Sequence, residues 1–212
     1  MNIIKRPFKY RNYGVVYWLI GINILIYAAA QLLGVNFRQS LIVRLAMIPL
    51  AVTHGWVWTF VTYMFMHGSI SHILFNMLGL FIFGIHVERQ MGSREFLLYY
   101  FVTGILAGVF SFGVYYVTRN YMVALMGASG ALFAVQLAYA VFFPDSIIYI
   151  WGILPLRAPV MVLGFTALEL IFSITGRNSG VAHLTHLAGF GFGWIYFMLR
   201  LGMNPWRRLT GR

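Results

Sequence analysis

The chain has 212 residues, 61% of them hydrophobic and only 9% charged, where a soluble domain carries about 25% charged residues. That excludes an ordinary water-soluble domain, and the absence of cysteine excludes disulfides, thiolate zinc sites and cysteine catalysis. The net charge of +11, from 15 Lys+Arg against 4 Asp+Glu, sits mostly at the chain ends beside apolar stretches, which reads as membrane topology and anionic-lipid contact rather than nucleic-acid binding.

A membrane span needs roughly 20 apolar residues, so the length allows six spans in one all-α polytopic domain covering residues 1–212. The first span is predicted at 13–33, behind Lys5, Arg6, Lys9 and Arg11. No small-residue cleavage site follows it, so it reads as a retained helix rather than a signal peptide. Residues 34–57 are apolar but broken by Arg38, Arg44, Pro49 and His54, which suits a first loop lying in the membrane interface. The apolar stretch 58–85 enters the membrane near 69–71, giving a second span at 69–85 before the polar loop 86–95. The third span is expected at 96–117. The connection 119–127 leads to the fourth, 128–143, which Pro144-Asp145 ends. Residues 146–159 contain two prolines and an arginine and read as a loop or surface segment. The fifth span, 160–174, and the sixth, 181–201, are joined by a tight connection at 176–180.

Six spans put both termini on one side. With the termini cytoplasmic, the inner face holds Lys5, Arg6, Lys9, Arg11, Arg89, Arg94, Arg157, Arg200, Arg207, Arg208 and Arg212, and the outer face only Arg38, Arg44, Arg119 and Arg177. That bias fits the positive-inside rule. The halves show no internal repeat of the kind many transporters carry.

Polar residues at membrane depth are costly and are functional candidates by default. His72 and Asn76, in the stretch from His67 to Asn76, are four apart and share one helix face. Both can donate hydrogen bonds, and packing between helices accounts for them equally well. Gly127-Ala-Ser-Gly130 begins the fourth span. Its small residues allow close helix approach, but Ser129 also falls beside the unpaired N–H groups and positive dipole end of a helix N-terminus. Those are the groups an oxyanion needs. It is not the G-x-S-x-G elbow, because Ala131 occupies the last position. In His183-Leu-Thr-His186-Leu-Ala-Gly189, His186 lies near the outer end of span six, on the face that carries Gly189 and Gly193. A structural hydrogen bond is the favoured role for His183. A zinc site on His67, His72, His183 and His186 lacks any H-E-x-x-H motif or nearby carboxylate, so no metal or cofactor is expected.

Spans four and six both descend from the outer side, which sets Ser129 and His186 at similar depth, with His72 and Asn76 within a turn or two. Glu169, on span five, reads as lying further inward. A Ser–His dyad, not a triad, is the expectation.

These stretches resemble the rhomboid family of intramembrane serine proteases. The matching segments are Thr62 to Gly79, including His67, His72 and Asn76; Gly127-Ala-Ser-Gly130; and Ala182-His-Leu-Thr-His186-Leu-Ala-Gly189. They occur in the family's order, on spans two, four and six. The resemblance implies a six-helix bundle with a membrane-associated first loop. It implies Ser129 as nucleophile and His186 as general base and then acid. His72 and Asn76, with the backbone N–H groups of Ala128 and Ser129, would hold the oxyanion, and His67 would shape the region beside it. Gly127, Gly130, Gly189 and Gly193 would be structural. Membrane-anchored proteins would be cleaved near their outer ends. The small architecture without a soluble domain separately suggests a prokaryotic inner membrane. One departure is visible: where many rhomboids carry Trp-Arg ahead of the His motif, this chain has Trp58-Thr59. The alternatives from other classes are a small transporter using the same polar layer and a non-proteolytic binder of transmembrane helices.

Overall fold

The structure, a computed structural model, describes residues 8–150, 152–175 and 180–211. Lys5, Arg6, Arg177, Arg212 and most of the predicted connection 176–180 lie outside the described residues. The chain is an all-α polytopic membrane protein. Its first helix, α1 (Val15–Leu32), is followed by α2 (Val35–Leu45), α3 (Pro49–Thr53) and α4 (Thr59–Thr62). α5 (Ile70–Gly79) runs through a π turn at Leu80–Gly84 into α6 (Ile85–Met91). Then come α7 (Ser93–Val117), α8 (Ser129–Phe142), α9 (Ala158–Thr175), α10 (Gly180–Leu199) and α11 (Pro205–Thr210). Among the described residues, four helical stretches are long and apolar enough to cross a membrane: Val15–Leu32, Ile70–Met91, Ser93–Val117 and Ala158–Thr175. Their outward faces carry Trp18, Leu25, Ile70, Val117 and Ile174, all exposed, as expected where lipid replaces water.

One short element departs from the expected loop at 146–159. Ile147–Ile150 pairs antiparallel with Leu154–Arg157, with Ile147 opposite Arg157 and Ile150 opposite Leu154. The run of β-branched and aromatic residues from Ile147 to Ile150 favours extended backbone, and Ala158 N–H closes the hairpin onto Ser146 O at 3.0 Å.

α8 is the axis of the bundle. Apart from Ser129 and Gln136 it is apolar all round, which is the pattern of a helix buried on every side. Gly130, Ala131, Ala134, Val135, Leu137, Ala138, Ala140 and Val141 are all buried, and the glycine and alanines among them let α7, α9, α10 and the π turn approach closely. A Cβ on Gly193 would meet Tyr99 Oη at 2.6 Å and Ala134 Cβ at 3.0 Å. Tyr99 Oη in turn donates to Ala134 O at 2.6 Å. Ser111 and Thr185 share a buried hydroxyl hydrogen bond of 2.6 Å that pins α10 to α7.

The four acidic residues are distributed with purpose. Glu88 is buried and accepts from Val15 N at 2.8 Å and Val16 N at 3.0 Å. It caps α1, whose own preceding residue, Gly14, has no side chain to do so. Buried Glu95 pairs with Arg200 at 2.9 Å and accepts from Tyr196 Oη. Both carboxylates therefore hold together one end of the bundle, where Tyr13 N also donates to Ser93 Oγ at 2.7 Å. Asp145 is exposed beside Arg157. The fourth, Glu169, belongs to the site described next.

At the opposite end the first loop is tied down without the Arg of the Trp-Arg pair. The Trp58 indole donates to Arg44 O at 3.0 Å, and Thr62 Oγ1 to Leu45 O at 2.7 Å. Arg38 donates to Gly68 O at 2.7 Å. Thr59, in the position of that Arg, is buried and bonds Trp56 O at 2.6 Å.

Candidate active site

The loop before α8 is held from three sides. Met47 and Leu125 exchange backbone hydrogen bonds of 3.1 and 2.9 Å, Leu50 N–H reaches Tyr121 O at 3.0 Å, and Gly127 N–H reaches Tyr63 O at 2.9 Å. Tyr63 is itself anchored by its hydroxyl on Gly104 O at 2.7 Å. Gly127 has φ +119°, a conformation side-chain-bearing residues rarely adopt. A Cβ there would also lie 2.6 Å from His72 Nε2 and 3.6 Å from Ser129 Oγ. The missing side chain leaves a gap between the imidazole and the hydroxyl.

Ser129 is the first residue of α8. The first N–H groups of a helix have no intrahelical acceptor, so the backbone around Ala128 and Ser129 presents donors and the positive end of the helix dipole. At 14 residues, α8 is about 21 Å long, short against ~30 Å of hydrocarbon.

His186 faces it from α10. Its Nε2 lies 2.8 Å from Ser129 Oγ. Close approach of the two helices makes this possible: a Cβ on Gly189 would collide with the backbone carbonyl of Gly130. Gly130 is confined less severely, by Ala107 Cβ at 3.1 Å and Thr185 Cγ2 at 3.4 Å. Phe133, one turn after Ser129, stacks flat on the imidazole with centroids 4.7 Å apart and 6° between planes. Sequence reading did not single out Phe133, although its i+4 spacing from Ser129 put it on the same face.

A cavity of about 130 Å³ opens here, walled by Ser129, His186, His72, Tyr63, Gly127 and Met126, with Leu125 and Thr185. Asn76 is not among its walls. It is buried, and its amide donates to His72 O at 2.8 Å while Oδ1 has no protein partner. His67 is also set back. It packs edge-on against His72 with centroids 5.0 Å apart, and neither ring nitrogen has a protein partner.

Glu169 is not where the sequence reading put it. Its Oε2 lies 2.5 Å from His183 Nδ1 and its Oε1 3.1 Å from His186 Nδ1. The first contact is a hydrogen bond. The second is at hydrogen-bond distance, but the ring N–H does not point squarely at the oxygen, so His186 Nδ1 has no well-formed partner. The depth estimate failed on a simple count. α9 and α10 are consecutive helices, and Glu169 lies six residues before Thr175 while His186 lies six after Gly180. In an antiparallel pair that sets them level. Counting from the connecting turn was the signal that would have found the contact.

Among the described residues, Glu169, His183 and His186 also form a group whose ligand atoms lie within 4.8 Å of one another, close enough to be tested as a metal site. The 2.5 Å between Glu169 Oε2 and His183 Nδ1 is too short for two ligands of one tetrahedral zinc, each about 2.0–2.1 Å from the ion. It suits a hydrogen bond.

A family model described as Rhomboid domain matches residues 54–202. The chain is 32% identical over 180 residues to rhomboid protease GlpG of Haemophilus influenzae, covering 84% of this chain and 86% of that one. It is 28% identical to RHOMBOID-like protein 12, mitochondrial, of Arabidopsis thaliana, over 87% of this chain and 63% of that protein. It is 29% identical to rhomboid protease AarA of Providencia stuartii, over 66% of this chain and 54% of that protein. The match therefore spans less than two thirds of the length of the last two relatives.

Proposed function

Because the chain belongs to the rhomboid family, we propose that it is an intramembrane serine endopeptidase that cleaves membrane-anchored proteins near the outer face, with Ser129 as nucleophile and His186 as general base. The observation that carries this reading is the 2.8 Å contact between Ser129 Oγ and His186 Nε2 at the wall of a cavity.

Chemistry follows from that pair. A substrate helix must first unwind, because helical carbonyls are engaged in i to i−4 hydrogen bonds. Ser129 Oγ attacks the exposed carbonyl carbon while its proton passes to Nε2 of neutral His186. Charge builds on the carbonyl oxygen, facing the N–H groups of Ala128 and Ser129 and the His72 imidazole, with Asn76 and His67 behind it. The C–N bond breaks as His186 returns the proton to the leaving amine. One water, deprotonated by the same histidine, then releases the acyl group and regenerates the serine.

Topology is part of the proposal. Six spans place α8 and α10 so that Ser129 and His186 lie below the outer surface, with both termini cytoplasmic. The grouping of basic residues supports this. Arg11 precedes α1, Arg89 and Arg94 flank the α6–α7 turn, and Arg200, Arg207 and Arg208 follow α10. All belong to the end tied together by Glu88 and Glu95.

The test is covalent labelling of the detergent-solubilised protein with a fluorophosphonate probe. Labelling confined to Ser129, and lost in both Ser129→Ala and His186→Ala, is the expected result. An unlabelled wild-type protein with native thermal stability would overturn the reading and favour a binding or transport role for the same polar layer.

A further inference from the structure

The geometry points to Glu169 as the positioning residue for His186, so that the reactive pair is extended to Ser129–His186–Glu169, with His183 holding the carboxylate from its other oxygen. This deepens the protease reading and rests on it.

A general base must present the right nitrogen. Ser129 can give up its proton only if His186 Nε2 is the unprotonated nitrogen, which requires the ring proton on Nδ1. In a neutral imidazole the tautomer is set by what the other nitrogen faces. Nδ1 of His186 faces Glu169 Oε1 at 3.1 Å, an acceptor that selects the Nδ1–H form. When His186 takes the serine proton it becomes a cation, and an anion at that distance stabilises it.

The second oxygen explains why the carboxylate stays in place. Glu169 Oε2 is hydrogen-bonded to His183 Nδ1 at 2.5 Å. His183 and His186 lie three apart on α10, so one carboxylate reaches both. The side chains of Glu169, His183 and His186 are 16%, 16% and 20% exposed, so water screens the contact only in part. The bent approach to Nδ1 is that of a resting site, since catalytic hydrogen bonds commonly tighten only in the substrate complex. Five neighbours set the imidazole's environment: Glu169 from α9, His183 on its own helix, Ser129 and the stacked Phe133 from α8, and His72 from α5. Among these, Glu169 is the one anion.

Wild type, Glu169→Gln, Glu169→Asp and Glu169→Leu are compared by the rate of fluorophosphonate labelling across pH, with thermal stability in detergent as the folding control. Gln keeps the shape and loses the charge. The expected result is a labelling rate reduced by roughly tenfold or more, below the ~10⁴-fold seen when a buried triad acid is neutralised. The acid limb of the Glu169→Gln profile moves to lower pH, because the imidazolium has lost its anion. Asp restores part of the rate and Leu restores none. A wild-type rate and an unshifted acid limb in Glu169→Gln, in protein whose Ser129 still labels, would overturn the assignment and leave the dyad standing. Wild-type protein that does not label at all would instead sink the protease reading itself.

Discussion

Gly189 and Gly130 touch so closely across α8 and α10 that a methyl group on the first would enter the carbonyl oxygen of the second. No rotamer relieves this, because the obstacle is backbone. The same contact sets the separation of the two helices that carry Ser129 and His186. Gly189→Ala is therefore expected to push α10 outward, costing about 1–3 kcal/mol of overpacking strain. Activity should fall more than stability accounts for, since a misplacement of ~1 Å can cost ~10²-fold in rate. Measuring labelling rate and unfolding temperature on the same sample separates the two effects. Full activity in a folded Gly189→Ala protein would refute this account of the spacing.

Gly127→Ala tests the gap beside the serine. Its φ of +119° strains any side chain, and the new methyl would crowd His72 Nε2. The strain should cost about 1–3 kcal/mol. We expect a folded protein with strongly reduced turnover, because the methyl fills space between His72 and Ser129. A control substitution at Gly113, whose Cβ would meet nothing within 4 Å, should leave both stability and turnover near wild type.

Asn76 offers a graded test of the oxyanion assignment. Its amide is committed to His72 O and lies outside the cavity wall, so its help to an oxyanion is partly indirect. Removing a direct oxyanion donor costs about 10²–10³ in kcat. For Asn76→Ala we expect a smaller drop in kcat with KM unchanged, and for His72→Ala a larger one. A rise in KM alone would move Asn76 from catalysis to substrate binding.

Acid should switch the enzyme off. A protonated His186 has no lone pair at Nε2 to accept from Ser129, so activity is present with the imidazole neutral and is lost as pH falls. Kinetics on a membrane-anchored substrate in vesicles, over a range in which the fold is shown intact, give the profile. A rate independent of pH through that range would argue against a histidine base.

Arg200 serves stability rather than chemistry. Its guanidinium meets buried Glu95 at 2.9 Å, far along the chain from the α7 end it holds. Breaking a buried ion pair by removing one partner typically costs about 3–5 kcal/mol, because the remaining charge is left buried. Arg200→Met should lower the unfolding temperature markedly while the surviving folded fraction labels at the wild-type rate. Equal stability would mean that Tyr196 Oη and the Phe8 N–H satisfy Glu95 without Arg200.

Composition alone was enough to exclude a soluble domain, since a chain with so few charges cannot cover itself in water. Local spacing carried much of the rest. Helical periodicity puts His72 with Asn76, and His186 with Gly189 and Gly193, on shared faces wherever the helices lie, and a serine placed at a helix start meets N–H donors by construction. What local spacing cannot encode is how each helix is rotated and how closely it stands to its neighbours. That decided three features: Asn76 stands behind His72 rather than in the cavity, Phe133 covers the imidazole, and Glu169 reaches both histidines of α10. The strand pairing of Ile147–Ile150 with Leu154–Arg157 also waited on the fold, because four-residue apolar runs suit strand and loop alike until a partner is found. Those choices belong to the packing of whole side-chain surfaces, in which the glycines of α8 and α10 remove the bulk that would otherwise hold Ser129 and His186 apart.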